Sequence, residues 1–142
     1  MYKLLVTGGR DWMYNVNSKT LPQIRLSNSD FSRKAEYMFY ILNHFLVHKD
    51  LQILVGDANG VDFMVRLWHL SVNLTSKTIL NLNVFKADWD KYGKAAGPIR
   101  NQEMLDQEPN IVIAFPGGKG TADMVKRAKV VGLKVIELNG NI

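Results

Sequence analysis

Ala114-Phe115-Pro116-Gly117-Gly118-Lys119-Gly120-Thr121 decides how this chain is read: an apolar run stops at three glycines, a lysine and a threonine, and a helical pattern follows at once. A strand-to-helix junction of this kind suits an anion. Without Cβ atoms the backbone can approach a ligand closely, and the free N–H groups of the helix's first turn, at the positive end of its dipole, attract phosphate. Lys119 adds a mobile charge, and Thr121 adds a hydroxyl that can also cap the helix. The spacing is not that of a Walker A loop, since Gly120 follows Lys119 and Ile113 stands where the first glycine belongs. Nor is it G-x-G-x-x-G, because the third glycine is missing.

Working outward, the chain alternates strand-like and helix-like segments. Leu4 to Thr7 is a short apolar run ending at Gly8-Gly9, and Ser29 or Asp30 can cap a helix carrying Ala35, Met38, Leu42 and Phe45 at helical spacing. Gln52 to Val55 is the next strand and ends at Gly56. Val61, Met64, Val65, Trp68 and Val72 then form the buried stripe of a helix entered through Gly60. Asn83 to Phe85 makes a third strand, and Pro98 suits the first position of a helix reaching Asp106. Ile111 to Phe115 is a fourth strand, and the helix capped by Thr121 ends at Gly132 before Lys134 to Leu138.

Because these strands are continuous apolar runs, both faces should be covered by helices. The expected fold is a single Rossmann-like three-layer α/β domain over residues 1–142, with a mostly parallel five-stranded sheet. Ligands in such sheets gather beyond the C-terminal strand ends, where the strand order reverses. The loops at Gly8-Gly9, Gly56 and Gly117-Gly118 each follow a strand, so they should open on that one edge. The polar stretch 13–28 is long for a connection and reads as an insertion or a lid over the crevice.

Composition sets the surroundings. With 142 residues, 46% of them hydrophobic, the chain can bury one sizeable core, and no run is long enough to cross a membrane. Cysteine is absent, so disulfides and thiolate metal sites are excluded. The N-terminus begins on the core-like run Lys3-Leu4-Leu5-Val6, without the pattern of a signal peptide, and the expected home is cytoplasmic. The net charge of +5 admits nucleic acid, a membrane surface or a small phosphate-bearing ligand. Five basic residues from Lys119 to Lys134 face Asp123 alone, which places the surplus near the glycine loop.

Four further groupings carry chemistry. Gly8, Gly9 and Arg10 could present amides and a guanidinium. Gly56-Asp57 and Asp62 offer carboxylates that could accept from ribose hydroxyls, although for Asp62 a helix cap is the preferred reading. Asp88, Trp89 and Tyr92 lie in an acidic and aromatic loop suited to stacking on a base. Arg100 and Asn101 open a helix, where a guanidinium would repeat the anion logic. His44 and His48 have i, i+4 spacing without a third ligand, so no metal is expected.

Taken jointly and in order, V-T-G-G-R-D-W, G-D-A-N-G-V-D, F-K-A-D-W-D-K-Y-G-K-A-A-G-P-I-R-N-Q-E-M and A-F-P-G-G-K-G-T-A-D-M resemble the YspA-like branch of the SLOG superfamily. That Rossmannoid group includes the Smf/DprA proteins and the Lonely Guy phosphoribohydrolases, and the resemblance covers nearly the whole chain. It implies a nucleotide or nucleotide-derived ligand, sensed or sequestered in conflict systems or by phage-carried genes, and pairing into a homodimer or higher oligomer. The Lonely Guy pattern P-G-G-x-G-T-x-x-E ends in a glutamate that assists cleavage of the bond from base to ribose; here that position is Met124. The Arg100-x-x-Glu103 pair resembles the arginine and glutamate of the preceding helix in those enzymes.

The expected function is therefore binding of an NAD-, ADP-ribose- or AMP-like molecule, with no cofactor required. Phosphate would sit on Pro116, Gly117, Gly118, Lys119, Gly120 and Thr121 and pair with Arg100, while Asp57 or Asp88 reads ribose or base. A nucleotide N-glycosidase is the second reading, its carboxylate supplied by Glu103, Asp123, Asp88 or Asp57. Single-stranded nucleic-acid binding ranks last, because acids interleave the basic residues and the aromatics lie beside a pocket rather than along a groove.

Overall fold

The computed structural model describes residues 1–13, 29–76 and 80–139. Along the chain these form β1 (Tyr2–Thr7), α1 (Ser29–Asn43) with a 3-10 turn at His44–Val47, β2 (Leu51–Gly56) and α2 (Val61–Thr75). There follow β3 (Asn81–Phe85), the single turn α3 (Trp89–Tyr92), a 3-10 turn at Gly93–Ala95 and α4 (Ala96–Leu105). The described chain closes with β4 (Ile111–Ala114), α5 (Lys119–Val130) and β5 (Lys134–Glu137).

All five strands of this sheet run parallel, in the order β3-β2-β1-β4-β5. The fold is thus α/β and Rossmann-like, as the apolar runs imply. Alternate side chains of a strand face opposite ways, which splits each central strand between two cores. Leu4, Val6, Ile53, Val55 and Ile113 pack under Met38 and Leu42 of α1 and Val61, Met64, Val65 and Trp68 of α2. Leu5, Leu54 and Val112 face the other way, onto Met104 and Leu105 of α4 and Met124 and Ala128 of α5. Burial on both faces holds for the three central strands. The outer strands β3 and β5 are only partly covered, because each has a neighbour on one side alone.

Several boundaries differ from those expected. α5 starts at Lys119 with Gly118 at its N-cap and no side-chain cap, so Thr121 lies within the first turn and does not cap it. α4 starts at Ala96, and Pro98 is its third residue, where its missing N–H still costs no helical bond. The loop expected around Trp89 is a helical turn, because Asp88 accepts the Lys91 N–H at 3.1 Å and caps it. Of the stretch 13–28, Met13 is buried in the core beside α1; residues 14–28, and with them the lid reading, lie outside the described residues.

The chain runs from β1 through β2 to β3 on one side, then returns across β1 to place β4 and β5 on the other. The order reverses between β1 and β4, whose last residues pair as Thr7 with Ala114. A ligand crevice is expected beyond that pair.

Candidate functional site

Beyond these strand ends three turns meet. The Gly9 N–H donates to Pro116 O at 2.9 Å, and Gly9 O accepts the Val61 N–H at 3.2 Å, so the exits of β1 and β4 and the entry to α2 are joined through backbone. A Cβ on Gly9 would stand 2.6 Å from Gly117 Cα, closer than carbon atoms can pack. Gly60 turns into α2 at φ +78°, a conformation that favours glycine, with Gly9 O and Arg10 O against its Cα. The convergence expected of the glycine loops on one edge is present.

The crevice they enclose has a volume of about 450 Å³, within the range of small-molecule sites. Gly8, Gly9 and Arg10 line it from β1, Trp89 from α3, Arg100 and Asn101 from α4, and Gly118, Lys119, Gly120 and Thr121 from the start of α5. At Gly118 and Gly120 the direction of a Cβ is open space, and the first-turn amides of a helix have no intrahelical carbonyl to bond. Arg10, Lys94 and Lys119 also line the crevice and make no ion pair among the described residues. Trp89 is half exposed at its mouth, its ring lying over Gly97, where any side chain would crowd it.

The remaining expected residues serve the site from behind or lie apart. Gly56 does not line the crevice; a Cβ there would meet Arg100 Nη1 at 2.5 Å and Asp62 Oδ2 at 2.6 Å, so its role is to make room for that guanidinium and carboxylate. Asp57, rather than facing a ligand, pairs with Arg100 at 3.3 Å. Asp88 is occupied as the cap of α3. Pro116 and Gly117 do not line the crevice but lie behind Gly9, and Thr121 Oγ1 lies against Gly117 too closely for a side chain on that residue.

The carboxylates considered for catalysis fare differently from one another. Asp123 lines the crevice, but its oxygens accept from Asn101 Nδ2 at 3.0 Å and from Arg127 Nε at 2.9 Å. Glu103 is exposed on α4 and borders a separate shallow hollow with Pro98, Ile99 and Arg127. Met124 is wholly buried beneath the sheet. Asn101, itself buried, donates also to Gly120 O at 3.1 Å, so its amide latches α4 to the first turn of α5.

Two residues escaped the sequence reading in different ways. Lys94 reaches the crevice only because Gly93, at φ +56°, breaks α3 and redirects the chain; a lone lysine after a glycine gives no such signal. Asp62, read as a cap, is buried and lines the crevice, and burial pushes its carboxyl up to about 6. The flanking Arg100 and Arg66 and the Ala58 N–H only partly offset that cost. The histidines stand elsewhere: His44 bonds to Tyr40 O at 2.8 Å, and His48 stacks on Tyr2.

A larger hollow of about 890 Å³ opens at the N-terminal edge of the sheet, lined by Phe39, Asn43, Trp68, Val72 and Leu80 among others. The C-terminal halves of α1 and α2 point at it, so their dipoles present carbonyl oxygens there. That polarity disfavours an anion there, although Lys49 also lines this hollow.

No family model matches the chain, and no solved structure matches it. The chain is 26% identical over 138 residues to the Gene 61 protein of Mycobacterium phage D29, covering 96% of this chain and 95% of the phage protein. Similarity along almost the full length of both chains ties this protein to a phage gene product whose name states no activity.

Proposed function

We propose that this protein binds a nucleotide or nucleotide-derived molecule through its phosphate, as a sensor or sequestering protein carried by phage and acting in the cytoplasm. The observation that carries this reading is the junction of the β1 and β4 loops at the point of strand reversal, with the open first turn of α5 and three cations unengaged by acids around it. Helix N-terminal amides and mobile lysines suit phosphate, and the half-exposed Trp89 suits a base. The full-length similarity to a phage protein supports the phage setting.

Binding is favoured over N-glycosidic cleavage by the state of the four acids expected to catalyse it, while Asp62, which lines the crevice with its carboxyl pushed up to about 6, is the acid through which cleavage would have to run. Met124 is packed in the core, Asp123 is held by Asn101 and Arg127, Asp88 caps a helix and Glu103 faces another surface. Self-association is part of the same proposal. Phe63, Leu67, Leu70 and Leu74 form an exposed apolar stripe at spacings of four, three and four along α2, a pattern suited to a second copy.

AMP, ADP-ribose and NAD should each be tested for a rise in melting temperature, since a ligand of the folded state stabilises it by mass action. Recovery of intact ligand by chromatography supports binding; release of free base would favour the glycosidase. No shift with any of the three contradicts the reading.

A further inference from the structure

Asp62 occupies the second position of α2 and is 5% exposed, yet it lines the crevice. Its Oδ2 accepts the Ala58 N–H at 3.2 Å, while Oδ1 accepts no hydrogen bond from the described residues. A cap needs one acceptor, so a carboxylate that is largely buried yet keeps its second oxygen unpaired and accessible at a ligand-sized crevice offers more than a cap requires. Its burial pushes the carboxyl up to about 6, a cost that the Ala58 N–H and the flanking Arg100 and Arg66 offset only in part.

The strand order locates this oxygen relative to the other groups. Trp89 follows β3, Asp62 follows β2, Arg10 follows β1 and the Gly118–Thr121 turn follows β4, and the sheet order is β3-β2-β1-β4. Asp62 therefore stands between the aromatic ring and the phosphate turn along the edge. Two strand spacings, roughly 10 Å, separate β2 from β4, which is the scale of a nucleoside phosphate laid across the edge. In a base–ribose–phosphate sequence the middle group is the one that brings hydroxyl donors.

Resting on the phosphate reading above, we infer that Asp62 Oδ1 accepts a hydrogen bond from a ribose hydroxyl of the ligand and so selects ribosyl phosphates over deoxy or sugar-free anions. Asp57, which takes the usual place of a ribose acceptor just after β2, is engaged by Arg100, and Asp62 one helical entry later takes over that role.

Calorimetric titration of the wild type and Asp62→Asn with AMP, 2′,3′-dideoxy-AMP and pyrophosphate tests this. The wild type should prefer AMP to its dideoxy analogue by about ten- to a hundred-fold, the range for a hydrogen bond to a charged acceptor. Asp62→Asn, which keeps an uncharged acceptor, should lower that preference several-fold, and Asp62→Ala should abolish it, both leaving pyrophosphate affinity undiminished. Equal wild-type affinity for the two nucleotides, or a preference undiminished in both variants, overturns the assignment while leaving the phosphate site standing. Binding of pyrophosphate without either nucleotide overturns it as well, and failure of all three ligands overturns the phosphate reading together with it. Should neither variant fold, the wild-type ratio alone decides.

Discussion

Gly118 and Gly9 show how the same residue type serves two ends within one site. Gly118 faces open space at φ −99° but is the N-cap of α5, so Gly118→Val is expected to cost about 0.5–1.5 kcal/mol of unliganded stability, as for a poorer cap, while removing the AMP-induced rise in melting temperature. Gly9→Ala drives a methyl into the backbone of Gly117 and is expected to cost about 1–3 kcal/mol in denaturant unfolding. Equal effects of the two substitutions would contradict the division between packed and open glycine. Asp62 gives a pH signature. Its folded pKa of about 6 exceeds the ordinary 3.8, so the folded state holds the proton more tightly, and this stabilising contribution, present at pH 4, is lost as pH rises towards 6. Asp62→Asn should therefore be more stable than wild type at pH 7, by on the order of 2–3 kcal/mol, with the gain vanishing near pH 4. A variant less stable at pH 7 would return Asp62 to a purely structural role. From sequence, the place of Gly118 on the crevice was legible because strand, glycines and helix adjoin, whereas Asp62 could be weighed only as a ribose acceptor or a cap, because its burial beside the crevice is set by tertiary packing.

Among the elements, α4 and α5 depend on one another through Asn101. Its amide donates to Gly120 O and to Asp123, so α4 holds the first turn of α5 at the height where its amides meet the crevice. Asn101→Ala is expected to destabilise the domain by about 1–3 kcal/mol, the cost of stranding buried partners, and to weaken AMP binding by more than that loss of stability explains when measured well below the melting temperature. Undiminished affinity would mean that the α5 turn is positioned by its own loop. The central strands were legible as unbroken apolar runs, and the helices above them by apolar residues at helical spacing. Helix starts were less so: α5 opens at Lys119 and α4 at Ala96, because first-turn residues need no internal N–H partner and leave little mark in the sequence. The turn at Trp89–Tyr92 is short, and its cap, Asp88, resembles any loop acid until Lys91 is seen above it.

On the scale of the whole molecule, parallel order and strand reversal put the glycine turns after β1, β2 and β4 on one edge, and the helices on the two faces aim opposite polarities at the two ends of the sheet. The outer side of α2 carries Phe63, Leu67, Leu70 and Leu74, the last 77% exposed. Leu70→Arg is expected to shift the protein to a monomer in light scattering at micromolar concentration; a wild type already monomeric there would remove the pairing proposal and leave the crevice untouched. A phosphate-bearing ligand is expected at the C-terminal edge and not in the larger hollow at the other end. Amide chemical-shift mapping on a 15N-labelled sample titrated with AMP distinguishes the two. The largest changes are expected at Gly9, Gly118, Lys119, Gly120 and Thr121; changes confined to Phe39, Asn43, Trp68 and Leu80 would place the ligand in the other hollow and contradict this.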